Sequence, residues 1–529
     1  MSKFGSYLRR RADKKRFIPL FVFISLLCCY CLVLSTHLDG YERGFFQTAL
    51  TAVTQHEFNM GGGGLAGTTV VDGKRYAEYV LESMLDVPLV GAGIVLDSLF
   101  AKAGMDPQLT FFLPKGLNAL LTALTAMLLY LYALRIYKNE KTAVILAFIY
   151  GLATMALPYS TIGMDPLFVF LAVLGFYLIR RGADRGGAAV FAFAGFVFGL
   201  AMGAKTYAFL TYPFAALYLY LLNREKKIEG LPLKLALVIG GGIAGFIPYF
   251  WYNYIRFGSI IPFGRSASMA GQIMSPSFSN FLDSLYASFF SAGKSFFLYS
   301  PPLILTFWAI RRFFRKSRPE AVAFLSFCAL IVLFFCTMDI PMYWADEVWG
   351  TRYYLVLVPF LVLPLGILVE GLREKRLVAK AAFYALVVLG FLVQIPGTIV
   401  YYGNHPRILL DNKLYSVQNA FYIPALSHMR MNIFLIRATI TKFFTGDFPA
   451  FYYQPRSNIW NLIKFAPVQV SIEPSDYITV WWHQMLSMQD LAGFSRFLII
   501  LLVALLVSGF LFFGAYAYRL AGNKGSKKA

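Results

Sequence analysis

Long apolar runs separated by short polar loops dominate this chain. Runs near 17–36, 109–135, 142–157, 166–180, 187–204, 206–222, 232–254, 296–311, 320–337, 353–369, 380–402 and 495–517 predict twelve membrane-spanning helices. Lys205 alone separates the two runs within 187–222, so a helical hairpin turning just below the outer surface is expected there. Segments 37–108, 255–295 and 403–494 are too long to be plain connectors, and loops of that length are usually functional or disordered. The first contains a flexible tract, Gly61 to Gly64, then amphipathic stretches around Tyr76–Leu85 and Val87–Phe100 expected to lie at the outer face. Met429–Phe444 spaces Arg430, Arg437 and Lys442 among apolar residues, which predicts a helix on the membrane surface, with Trp460, Trp481 and Trp482 at headgroup level. The expected fold is an all-α polytopic membrane protein. It divides into a core over 1–402, an extracytoplasmic region over 403–494, and a last span with a basic tail over 495–529. No internal repeat of fixed period is present.

Charge orients this pattern. Thirty of the 48 Lys and Arg fall in alternate loops, among them Arg9 to Arg11, Arg180, Arg181, Arg311, Arg312 and Lys375. That is the positive-inside bias, and it accounts for the net charge of +21 without nucleic acid as a partner. With 58% apolar and 14% charged residues, a soluble protein is excluded. The basic stretch Arg9–Arg16 precedes an apolar run with no small-residue cleavage site, so an uncleaved first span is expected, with both termini cytoplasmic. The five cysteines all lie in apolar segments and the five histidines show no ligand spacing, so neither a disulfide framework nor a metal site is expected. P-loop, dinucleotide and GxSxG patterns are absent from the sequence.

Carboxylates gather on the opposite side, led by Asp39-Gly-Tyr-Glu42-Arg43 just after the first span. On a helix Asp39 and Glu42 share a face; at about 6 Å and an effective dielectric near 20 they repel by roughly 3 kcal/mol. That repulsion raises the proton affinity of one and suits it to general-base work, unless Glu42 simply pairs with Arg43. A second group is Tyr343-Trp-Ala-Asp346-Glu347-Val-Trp-Gly-Thr-Arg352-Tyr353-Tyr354. A guanidinium near the outer end of a span must meet a carboxylate or phosphate, so Arg352 pairs with Asp346 or Glu347, or binds a phosphate. Asp165 precedes Pro166 and fits either an N-cap or a substrate contact. Lys205, Arg256 and Lys294 stand alone at outer helix ends, where Lys205 and Lys294 can meet a substrate headgroup or ordinary lipid.

This layout resembles the GT-C membrane glycosyltransferases, in the branch of protein O-mannosyltransferases and lipid A aminoarabinose transferases. The resemblance covers roughly 10–400. It is carried by Asp72-Gly-Lys-Arg-Tyr76-Ala-Glu-Tyr79, Trp251-Tyr-Asn-Tyr-Ile-Arg256-Phe-Gly258, Gly293-Lys-Ser-Phe-Phe-Leu-Tyr-Ser-Pro-Pro302 and Trp349-Gly-Thr-Arg352-Tyr-Tyr354. It implies transfer of a sugar from a polyprenyl-phosphate carrier to a glycan, lipid or protein acceptor at the outer face of the cytoplasmic membrane. The implied catalytic acids are Asp39 and Glu42, although the family often places its second acid directly after the first. Arg352, Lys205, Lys294, Lys74 and Arg75 are candidates for the donor phosphate, because Glu78 stands where the family has a lysine. Asp165, Tyr79, Arg256, Asp346, Glu347 and Tyr353 are candidates for substrate contacts. The implied reaction is an inverting displacement with no metal or other cofactor. The oligosaccharyltransferase signature Trp-Trp-Asp-Tyr-Gly is absent. A lipid flippase or transporter, and a noncatalytic scaffold, are the rival readings. A transporter would place ionisable residues near the midplane, whereas here they gather at outer helix ends.

Overall fold

A computed structural model describes residues 15–38, 40–61, 68–102, 108–163, 165–260, 278, 281–337, 348–453, 467–488 and 493–522. Every one of the twelve apolar runs falls on a helical segment. Among the described residues eight helices are long and apolar enough to cross a membrane, and Ile18–Leu32 and Ala188–Ala204 are shorter apolar helices. The chain is an all-α polytopic membrane protein. Its two small antiparallel sheets are Thr68–Val71 with Lys74–Ala77 and Phe451–Tyr453 with Val468–Val470.

Local sequence explains where these helices break. Pro301 and Pro302 tighten the 296–316 segment into a 3₁₀ turn before the helix Thr306–Lys316. Pro359 and Pro364 divide 352–371 into alternating 3₁₀ and α turns. Pro364 has no N–H to donate, and the Leu361 carbonyl is satisfied instead by the Thr306 hydroxyl at 2.8 Å. Lys205 is extended between Ala188–Ala204 and the turn Thr206–Leu210, as the expected hairpin requires.

Small residues set the tightest helix crossing. A Cβ on Gly195 would lie 1.9 Å from the Val238 carbonyl oxygen, and one on Gly241 would lie 1.9 Å from that of Ala192. Lipid supplies no hydrophobic drive between helices, so close backbone approach supplies the dispersion contact. At the end bearing basic loops, Glu320 is fully buried and accepts from Tyr218 at 2.8 Å, from Arg180 and from Ser317. Removing Glu320 takes from Arg180 its fully buried partner and leaves it Asp184 at 3.3 Å, so Glu320→Ala is expected to cost about 1–3 kcal/mol. Unfolding temperature in detergent checks this; a shift no larger than that of Glu320→Gln would reject the clamp.

Two expectations for the outer segments change. The stretches around Tyr76–Leu85 and Val87–Phe100 are not separate amphipathic helices. Asp72 and Gly73, both with positive φ, turn a β-hairpin that ends at Ala77, and Val80–Ala101 is one helix running through Pro88. Its inward face carries Glu82, Ser83 and Asp86, all buried. The helix His428–Thr445 turns Met431 and Leu435 into a second core with Leu409, Phe421, Phe451 and Val470, so that face packs on protein, while Ile433, Ile440, Phe443 and Phe444 stay exposed on the same helix. Trp481 and Trp482 donate to the Cys31 and Leu32 carbonyls at 2.9 Å each, tying this region to the first helix, while Trp460 lies outside the described residues.

Candidate active site

Three separated segments bring their charges together at one place. Asp165 opens the helix Asp165–Arg185, and its carboxylate lies 3.0 Å from Lys205 Nζ and 3.8 Å from Arg352 Nε. All three side chains are buried, so the cluster holds two cations against one carboxylate away from water. Three tyrosines wall it. Lys205 lies over the Tyr79 ring at 4.7 Å, and Arg352 lies over Tyr353 at 4.7 Å and Tyr41 at 5.4 Å. Arg352 also donates to the Tyr353 hydroxyl at 2.8 Å. Such stacking holds the plane of the guanidinium in place. Lys205 Nζ and Asp165 Oδ2 make no hydrogen bond among the described residues.

A pocket adjoins this cluster. Glu42 sits in the first turn of the helix Gly40–Thr54 and accepts from Lys115 at 2.6 Å, with both side chains buried. Lys115 also donates to the His37 carbonyl at 2.9 Å. Ser35, His37, Thr161, Thr398, Tyr401 and Thr479 are among the other residues that line it. Glu42 is therefore paired with Lys115, not with Arg43. Two short stretches of chain connect pocket and cluster. Tyr41 meets Arg352 while its neighbour Glu42 meets Lys115, and Thr161 lines the pocket four residues before Asp165.

Other candidates are placed differently. Asp39, Asp346 and Glu347 lie outside the described residues. Lys74 is exposed and pairs with Glu57 at 3.0 Å, and that contact draws the Glu57 carboxyl below its usual range. Arg75, half-buried beside it, is on the same hairpin strand. Arg256 is buried over Tyr252 and donates weakly to the Ala77 and Glu78 carbonyls at 3.5 Å, so it docks the hairpin's exit just before Tyr79. Lys294 is buried and donates to the carbonyls of Val348 and Gly350. It braces the loop leading to Arg352. Lys115, Tyr41, Glu82 and Asp86 were not singled out from sequence. Glu82 and Asp86 carry a signal, being four apart in the first two turns of a largely apolar helix.

Behind the Lys294 loop, His405 and His428 stack with centroids 4.5 Å apart, and Trp349 meets His428 edge-on at 5.4 Å. Burial pushes His405 down to about 4, with Lys294 adding to it, and pushes His428 well below the usual histidine range. Folded values below the unfolded 6.5 mean that stability is complete above pH 6.5 and is lost as pH falls toward 4. The loss is about 1.4 kcal/mol per unit for each histidine. Wild type is expected to lose more thermal stability between pH 7 and pH 5 than His428→Phe does; equal losses would refute this.

The family model described as dolichyl-phosphate-mannose-protein mannosyltransferase matches residues 98–252. Over that stretch, 155 of its 529 residues, the chain is similar to a family of membrane mannosyltransferases. The matched stretch includes Lys115, Asp165 and Lys205, whereas Asp39, Glu42 and Arg352 lie outside it. No curated protein matches it. Among solved structures it is similar to ArnT from Cupriavidus metallidurans in the apo state, at 13% identity and a TM-score of 0.48. That alignment covers 96% of this chain and 76% of the other.

Proposed function

We propose that this protein is a glycosyltransferase that moves a sugar from a polyprenyl-phosphate carrier to an acceptor hydroxyl at the outer face of the cytoplasmic membrane, with both of its termini cytoplasmic. The observation that carries this reading is the convergence of Asp165, Lys205 and Arg352, walled by Tyr79 and Tyr353, into a buried site that sets two cations against one carboxylate among the described residues. A carrier phosphodiester has one negative charge and needs its leaving oxygen stabilised more than it needs an acid. Lys205 and Arg352 supply that stabilisation, and the apolar carrier tail remains in the bilayer. The acceptor enters the neighbouring pocket lined by His37, Glu42 and Tyr401.

In the reaction the acceptor oxygen forms a bond to the anomeric carbon as the bond from that carbon to the phosphate oxygen breaks. The electron pair stays on the phosphate, the acceptor proton passes to Asp39, and configuration inverts. The alternation of basic loops with carboxylate-bearing ones supports the outer-face placement.

The test is transfer of radiolabelled sugar from a panel of polyprenyl-phosphate sugars, using membranes that hold the chain and membranes that do not. Transfer or donor hydrolysis that depends on the chain is the expected result. Turnover with none of the donors would reject the reading and make lipid movement across the bilayer the next activity to measure.

A further inference from the structure

The pocket contains a cation that neither the phosphate chemistry nor the acceptor chemistry uses. Lys115 belongs to the helix Leu109–Tyr137, yet both of its bonds go to the segment that carries the acids. One reaches the His37 carbonyl, two residues before Asp39; the other reaches Glu42, three residues after it. Lys115 thus spans the position of Asp39 from both sides along the chain.

Its own placement is fixed. The start of the Leu109–Tyr137 helix is held by Asp97, whose carboxylate accepts from Leu109 N at 2.7 Å, Thr110 N at 2.8 Å and the Thr110 hydroxyl at 2.7 Å. Pro114, Leu117 and Asn118 around Lys115 are buried. Glu42 is confined from the other side as well. A Cβ on Gly163 would lie 2.2 Å from Glu42 Cγ, so the backbone there leaves the carboxylate little room except toward Lys115. One turn further along the same helix Asn118 donates to the buried Glu82 at 3.4 Å. This helix face therefore holds the acid-bearing segments of two neighbours.

We propose that Lys115 is a positioning residue for transfer: its ammonium ties the His37 carbonyl and the Glu42 carboxylate to the Leu109–Tyr137 helix, and so fixes the two ends of the short stretch of chain that carries the reacting acid. This rests on the acid role given to that segment above. A Lys that only filled space would be replaced by Met without loss. One that acts through Glu42 has an effect that depends on Glu42.

The experiment uses the full chain in lipid nanodiscs, with Lys115→Met, Lys115→Arg, Glu42→Gln and the double variant Lys115→Met/Glu42→Gln. The double variant removes both buried charges together and so remains foldable if either single change does not. Lys115→Met is expected to lower kcat about 30-fold or more while donor KM stays within about threefold. Lys115→Arg should recover most of that loss, and the double variant should lose less than the product of the two single losses. Amide hydrogen exchange over 35–48 should rise at least about tenfold in Lys115→Met and stay unchanged elsewhere in the chain. Wild-type exchange over 35–48 in Lys115→Met, or losses that multiply in the double variant, would overturn the proposal. If wild type transfers nothing from any donor, the function falls. The exchange measurement then still decides whether Lys115 pins the segment.

Discussion

Asp39→Asn is expected to lower sugar transfer by about 10²–10⁴ while leaving the amount of protein in the membrane unchanged. Asn has nearly the same shape and still hydrogen-bonds an acceptor hydroxyl, but it cannot take the proton. The leaving phosphate needs no acid, so proton removal from the acceptor is the step a side chain must supply. The structure helps to divide the work between the two acids of this segment. Glu42 already accepts from a buried ammonium at 2.6 Å, which leaves it a holder of geometry rather than a receiver of protons. Glu42→Gln is therefore expected to lose less than Asp39→Asn, and to lose it together with the ordering of residues 37–42. Transfer assays on both variants, at matched expression, check this. A fully active Asp39→Asn beside a dead Glu42→Gln would exchange their roles.

Much of this arrangement was written in local pattern, and what escaped was long-range. A run of apolar residues ended by Lys or Pro needs no partner to be recognised, which is why all twelve runs lie on helical segments. Lys205 was legible as the break of a hairpin for the same reason. Its partner was not. Asp165 lies forty residues away, and an N-cap explained it locally just as well. Glu42 shows the same limit, since Arg43 stood beside it while Lys115 was 73 residues further on. Pro88 divides Val80–Ala101 into two stretches on the sequence, and the Asp72-Gly73 pair is a local turn signal for the hairpin. For Met429–Phe444 the helix was legible, but not that Met431 and Leu435 cover a second core while Ile440, Phe443 and Phe444 stay exposed. Periodicity gives a face and cannot say whether lipid or a second core lies against it.

Arg352→Ala is expected to lower kcat/KM for the donor by about 10²–10³, the loss typical when one preorganised donor to a developing negative charge is removed. Arg352→Lys should recover only part of this, because a lysine keeps the charge but not the planar fork that stacks between Tyr41 and Tyr353. A purely structural role is a real rival, since Arg352 lies 3.8 Å from the buried Asp165 and its removal could act by stranding that carboxylate. The two explanations separate in Asp165→Asn/Arg352→Gln, which removes the carboxylate and the guanidinium together. If Arg352 only balances Asp165, the double variant regains the transfer lost in Arg352→Gln. If Arg352 holds the carrier phosphate, it folds as well as wild type yet stays impaired, with the loss spread over kcat and donor KM. The second outcome is expected, because Lys205 remains to compensate Asp165 in the single variant, so charge balance at the carboxylate does not depend on Arg352 alone.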